Sequence, residues 1–171
     1  SSYSGELIEL TSKLSTNESD IIVVVGGDGS LSEVVTGLMQ SQKTCRIGLI
    51  PAGTGNSMAN DLKITSTEDA VTRICNGHYQ ALDLAKVDMV AGLPGHENGE
   101  LTRYSINLVT WGLGVDSTIK AEKMRWMGPM RYDVGILMAI MANNRRNATL
   151  TIDGNTIEDD FTLFLIQNSQ T

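Results

Sequence analysis

Leu7, Ile8, Leu10 and Leu14 recur at helical spacing, and the stretch from Asn17 to Asp20 then turns the chain. Ile21 to Val25 is an unbroken β-branched run, the pattern of a strand buried on both faces of a parallel sheet. Leu31, Val34, Val35 and Leu38 predict a helix ending near Met39, capped by Ser30 or Ser32. Ile47 to Ile50 predicts a second short strand, and Ser57 to Leu62 a short helix. Ser66 to Asp69 opens a helix over Ala70 to Cys75 that stops at Asn76-Gly77. Up to about residue 78 helix and strand alternate, as in an α/β layer with a parallel sheet.

Beyond that point the period changes. Ala81 to Val90 and Thr102 to Val109 alternate apolar with polar, around a Gly/Pro/Asn loop from Ala91 to Glu100. Thr149 to Ile152, the turn Asp153-Gly154 and Thr156 to Asp160 read as a hairpin, and Phe161 to Ile166 as another apolar strand. One helical section, about Ser117 to Asn144, interrupts them and is broken at Gly128-Pro129. The expected division is an α/β part over residues 1–80 and a mainly antiparallel β part with a helical insertion over 81–171.

Composition narrows the function classes. With 41% apolar residues in 171, the chain can build a proper core. A net charge of −7 argues against a non-specific nucleic-acid binder, which would carry a basic face. Cys45 and Cys75 have no CxxC spacing and read as two free buried thiols of a reducing compartment ahead of the alternative, a disulfide. No signal-peptide pattern opens the chain. The apolar run Ile136 to Ala142 is too short to span a bilayer, so no transmembrane segment is expected. His78 and His96 lie in loops without other ligands at metal spacing.

Two glycine loops carry the candidate chemistry. Gly26-Gly27-Asp28-Gly29 follows the first strand and precedes a helix. Glycines there let the backbone approach phosphate oxygens closely, a helix N-terminus adds partial positive charge, and an aspartate can take a hydroxyl proton. The alternative is a tight strand-to-helix turn with a capping aspartate. Pro51-Ala52-Gly53-Thr54-Gly55-Asn56 repeats the arrangement after the second strand. Loops on successive parallel strands lie side by side at the carboxyl edge of the sheet, where ligands bind. Neither loop is a Walker or GxGxxG pattern.

The run from Val23 to Leu38 around Gly-Gly-Asp-Gly, with Pro51 to Ala59 as its partner, resembles the diacylglycerol, sphingosine and ceramide kinase family. Trp111-Gly112-Leu113-Gly114-Val115-Asp116 and the stretch Glu122 to Asp133 are similar to its eukaryotic sphingosine/ceramide kinase branch. The resemblance implies an ATP-dependent kinase of a sphingolipid hydroxyl (ceramide or a sphingoid base), with a diacylglycerol kinase or a non-catalytic nucleotide- or lipid-binding relative as alternatives. It implies a chain built from an incomplete NAD kinase/phosphofructokinase-like parallel-sheet domain and an antiparallel β-sandwich lipid domain. Asp28 would be the general base. Gly26, Gly27, Gly29, Gly53, Thr54, Gly55 and Asn56 would cradle the nucleotide, and Arg125 and Arg131 would reach its phosphates. Asp116 and Glu122 would lie near the lipid head. Surface charge remains open for both arginines, a helix N-cap for Asp116, and pairing with Arg125 or Lys123 for Glu122.

The resemblance further implies ATP and Mg2+, no metal ligands within this chain, and a lipid substrate met at a membrane surface from the cytoplasm. It leaves a homodimer open. Thr118 stands where sphingosine kinases carry a substrate-facing aspartate, which leans towards an acceptor without a free amine. Met124, Met127, Met130, Met138 and Met141 suit an adaptable acyl pocket or plain core filling. The chain is expected to be a central fragment of the family's catalytic region.

Overall fold

The computed structural model describes residues 3, 5–90, 100–128, 130–142 and 144–169. The chain forms two compact units, residues 1–107 with 168–171 and residues 108–167. Helix and strand are mixed throughout.

In the first unit, strand β1 (Ile21–Gly26) and strand β2 (Arg46–Pro51) pair in parallel, from Ile21 opposite Arg46 to Gly26 opposite Pro51. Helix α2 (Asp28–Gln40) joins them. It starts three residues earlier than a Ser30 cap predicts, with Gly27 at the N-cap and no side chain capping it among the described residues. Its apolar stripe packs Leu31, Val34, Val35 and Leu38 with Val24 of β1, Leu49 of β2, and Met58, Ala59 and Ile106. On the other face of β1, Ile21, Val23 and Val25 are exposed among the described residues, contrary to a strand buried on both sides. Helix α4 (Thr67–Cys75) lies over β2 instead, its Ile74 filling the space beside Gly48. Ser66, in the segment expected to open this helix, caps α4 by accepting the Asp69 amide at 3.1 Å.

Helix α1 (Glu6–Lys13) crosses α2 at Gly37, where a Cβ would fall 2.0 Å from Thr11 Oγ1. Side chains hold both its ends. Glu33 accepts the amides of Gly5 at 2.9 Å and Leu7 at 3.2 Å, and the Lys43 ammonium donates to the carbonyls of Ser12 and Leu14. Both charges interact favourably with the helix dipole.

The strands β3 (Ala85–Val90) and β4 (Glu100–Ser105) pair antiparallel; the loop 91–99 lies outside the described residues. This hairpin belongs to the first compact unit, which runs to Asn107 before the chain enters the second. The attachment is polar. Ser32, Thr36 and Gln40 form one i, i+4 stripe on α2: Ser32 donates to Tyr104 O, Thr36 Oγ1 accepts the Tyr104 amide, and Gln40 donates to Thr102 O. Thr36 is fully buried, and that one bond to β4 satisfies its hydroxyl oxygen.

In the second unit, strand β5 (Leu108–Gly112) pairs antiparallel with strand β8 (Leu163–Gln167), and Trp111 stacks on its register partner Phe164 at 5.1 Å. The alternating run predicted from Thr102 to Val109 is thus split at Ile106-Asn107. Strands β6 (Arg146–Ile152) and β7 (Asn155–Phe161) form the predicted hairpin, with positive φ at Asp153 and Gly154 in its turn. Thr162 separates β7 from β8, so the apolar strand begins after Phe161.

Helix α5 (Leu113–Lys123), a single 3-10 turn (Arg125–Met127) and helix α6 (Met130–Ala142) make the helical insertion. Gly135 of α6 sits where a Cβ would fall 2.7 Å from Ser117 O, which lets the two helices approach closely. Among the described residues no helix is long and apolar enough to cross a membrane. Cys45 is half-buried and Cys75 exposed, both free, so Cys75 is not the buried thiol expected.

Candidate functional site

Because β1 and β2 run parallel and end in register at Gly26 and Pro51, both glycine loops leave the same edge of the pair. The Ala52 amide donates to Gly26 O at 2.9 Å and binds the loops at their roots. They then touch backbone to backbone: a Cβ on Gly53 would lie 2.5 Å from Gly27 Cα. Asn56, at a left-handed φ of 53°, clasps the second loop from within. Its Oδ1 accepts the Gly53 amide at 2.9 Å and its Nδ2 donates to Gly53 O at 2.8 Å.

Asp28 stands between the loops. Its Oδ2 accepts the Ser57 amide at 3.0 Å, and its Oδ1 accepts the Met58 amide at 2.9 Å and Asn107 Nδ2 at 3.3 Å. The aspartate therefore does cap a helix, but not its own: it caps helix α3 (Ser57–Asp61), which follows the second loop. The N-terminus of α2 is left without a side-chain cap.

The glycines fall into two groups. Gly27 and Gly53 are required by each other's backbone. A Cβ on Gly29 would meet nothing within 4 Å, and one on Gly55 would meet only Asp28 Oδ2, at 3.7 Å. Both are exposed, as is Thr54. Packing within the first unit gives no reason for glycine at these two places. An open, uncapped helix N-terminus beside two glycines that contact little is suited to an anion.

Eight predicted residues (Gly26, Gly27, Asp28, Gly29, Gly53, Thr54, Gly55 and Asn56) thus share one edge of the first unit. The remaining four belong to the second unit. Asp116 lies within α5, which begins at Leu113, so it is not the N-cap. One guanidinium nitrogen of Arg146 donates to both its oxygens, at 2.9 and 3.0 Å, and holds its carboxyl below the usual carboxylate range. The same guanidinium lies 5.9 Å from the Trp111 ring centre. Thr118 donates to Gly114 O. Glu122 is exposed on α5, Arg131 is half-buried in the first turn of α6, and the Arg125 side chain lies outside what the structure describes.

Sequence reading passes over Arg146 and Asn107. Arg146 follows another arginine at the end of a helical pattern and carries no local signal. Asn107 is a lone polar residue between Ile106 and Leu108, inside what reads as a strand, and that interruption is the available clue.

Residues 1–87, just over half of the chain and including both loops, match the family described as the diacylglycerol kinase catalytic domain. The chain belongs to that family. Sphingosine kinase 2 of Arabidopsis thaliana is 33% identical over 152 residues, 83% of this chain and 30% of that protein. Ceramide kinase of Homo sapiens is 29% identical over 167 residues, 87% of this chain and 30% of that protein. The crystal structure of a diacylglycerol kinase from Bacillus anthracis str. Sterne shares the fold, with a TM-score of 0.64 at 23% identity, over 100% of this chain and 52% of that one. The chain thus spans 30% of the length of the plant and human kinases. Both glycine loops fall inside the part of the chain that matches the family's catalytic domain.

Proposed function

We propose that the protein containing this chain transfers the γ-phosphoryl group of ATP to a lipid hydroxyl, and that the lipid is a sphingolipid, ceramide ahead of a free sphingoid base. The observation that carries this reading is the placement of Asp28 between two touching glycine loops whose outer glycines, Gly29 and Gly55, have almost nothing of the protein against them. Phosphoryl transfer needs positioning, charge stabilisation and a proton acceptor more than covalent help. Gly26, Gly27, Gly29, Gly53, Thr54, Gly55 and Asn56 would hold the phosphates through backbone amides, with magnesium arriving on ATP as part of the substrate. Arg125 and Arg131 would add positive charge. Asp28 would receive the hydroxyl proton.

On this reading residues 1–80 handle nucleotide and 81–171 the lipid, as part of a β-sandwich. Ceramide is favoured because Asp116 is already neutralised by Arg146 and Thr118 has no charge, so neither offers a free carboxylate to an amine. Glu122 would remain near the head group. The lipid would be met at the cytoplasmic surface of a membrane. In support, α6 exposes Ile136, Leu137, Ile140 and Met141, and Trp126 beside it is 84% exposed. Residues 113–146 also hold six basic side chains against three acidic ones, a local excess of three in a chain of net charge −7.

The test is transfer of labelled γ-phosphate by the full-length protein to ceramide, sphingosine and diacylglycerol, presented in mixed micelles. Label in ceramide is the expected result. Label in diacylglycerol alone would replace the substrate, and label in none, with ATP bound, would leave a nucleotide-binding relative without kinase activity.

A further inference from the structure

The two oxygens of Asp28 are not equivalent. A carboxylate offers about four acceptor sites, two on each oxygen. Oδ1 takes two donors, the Met58 amide at 2.9 Å and Asn107 Nδ2 at 3.3 Å. Oδ2 takes one, the Ser57 amide at 3.0 Å. The single site left is therefore on Oδ2. Its approach is open because residue 55 is glycine: a side chain there would begin 3.7 Å from Oδ2.

Asn107 is itself held in place. Its carbonyl accepts the amides of Asn168 at 2.7 Å and Ser169 at 3.2 Å, where the chain re-enters the first unit. Its side-chain oxygen is buried with no hydrogen-bond partner among the described residues. Turning the amide over would point that oxygen at the aspartate and remove a donor from it. The orientation with an unpaired oxygen is kept because the other end of the amide is bound to a carboxylate.

We infer that Asn107 is a positioning residue that closes Oδ1 of Asp28 and so makes Oδ2 the oxygen that takes the proton. This rests on the reading of Asp28 as general base. In the step, the acceptor oxygen forms a bond to the γ-phosphorus as the bond from phosphorus to the leaving nucleoside diphosphate breaks. The acceptor O–H bond breaks, its proton passes to Oδ2 and from there to water. The products are the phosphate ester, the diphosphate and one proton.

The experiment uses the full-length protein with Asn107→Leu, which keeps the volume but not the donor, Asn107→Asp, which sets a second acceptor against Asp28, and Asn107→Gln, which keeps the donor. The expected result is a kcat about tenfold lower for Leu and about a hundredfold lower for Asp, with KM for ATP within about twofold and most of the rate retained by Gln. An unchanged kcat in the Leu and Asp proteins, or a Gln protein as slow as the Leu protein, overturns the inference. So does a parallel loss in kcat, KM and melting temperature, which is the mark of a purely structural residue. If the unaltered protein transfers no phosphate to any lipid, the general-base reading fails first and takes this inference with it.

Discussion

Gly27 and Gly53 lie backbone against backbone, so close that a Cβ on Gly53 would fall 2.5 Å from Gly27 Cα. This contact is a requirement of the fold, and it separates glycines that the sequence presents as one class. Gly53→Ala should push the loops apart and cost about 1–3 kcal/mol, as overpacking does. Gly29→Ala, in open space at the start of α2, should leave stability within about 0.5 kcal/mol. If Gly29 faces the nucleotide, the same change should weaken ATP binding about tenfold. Thermal unfolding and ATP titration of the two proteins, side by side, check the distinction.

Asp28→Asn is the obvious test of a catalytic base, and here it has a second effect. The amide would set an N–H group against the amides of Ser57 or Met58, both of which now donate to the carboxylate. Leaving one of them unsatisfied should cost about 1–3 kcal/mol. The expected outcome is loss of turnover together with a lower melting temperature. ATP binding measured well below the melting transition shows whether the chemistry or the cap is responsible.

Glu33 sits in the middle of the first glycine-loop signature, yet its carboxylate reaches the amides of Gly5 and Leu7 at the head of α1. Glu33→Ala should therefore destabilise α1 by about 1–2 kcal/mol, in the range of a lost helix cap, and leave ATP affinity unchanged. Limited proteolysis should cut near α1 sooner in the variant. A tenfold loss of ATP affinity with α1 intact would move Glu33 into the binding site.

The pair Asp116 and Arg146 gives a pH dependence of definite sign. The guanidinium lowers the carboxyl below its ordinary value, so the unfolded chain takes up the proton first as acid is added. The stabilisation is complete above the ordinary carboxylate value of about 3.9 and is lost as pH falls through the lower folded value. Asp116→Asn should remove this acid-dependent contribution and flatten the melting temperature below about pH 4. Melting curves from neutral pH downwards, for both proteins, are the measurement.

The exposed face of α6 makes a further prediction. Met141, 78% exposed, and Leu137 pack on little of the second unit. Changing either to Glu should leave the fold unaltered and lower sedimentation with vesicles containing phosphatidylserine severalfold. Undiminished sedimentation of both variants would remove this face from membrane contact.

Much of this fold was legible because its signals are local. The run Ile21 to Val25, the glycines after it and the Asp153-Gly154 turn each set backbone geometry within a few residues. The Ser66 cap of α4 reads the same way. What could not be read depends on partners far along the chain. The covering of β1 is decided by which elements reach it, not by its own β-branched pattern. Ser32 and Thr36 look like ordinary surface positions of α2 until β4 is laid beside them. The candidate site divides similarly: the glycines and Asp28 carry a contiguous signature, whereas Asn107 is 79 residues from Asp28 and Arg146 is 30 from Asp116.

The polar stripe on α2 has a consequence for how the chain is made. The buried hydroxyl oxygen of Thr36 lacks its Tyr104 partner until that residue has left the ribosome. A nascent chain released from the exit tunnel only as far as residue 80 would hold both glycine loops above a helix flank still exposed to water. Covering of that flank must await about twenty-five further residues and the pairing of β4 with β3. Pausing of synthesis before that point should prolong exposure of this flank to chaperones, and pausing after it should not.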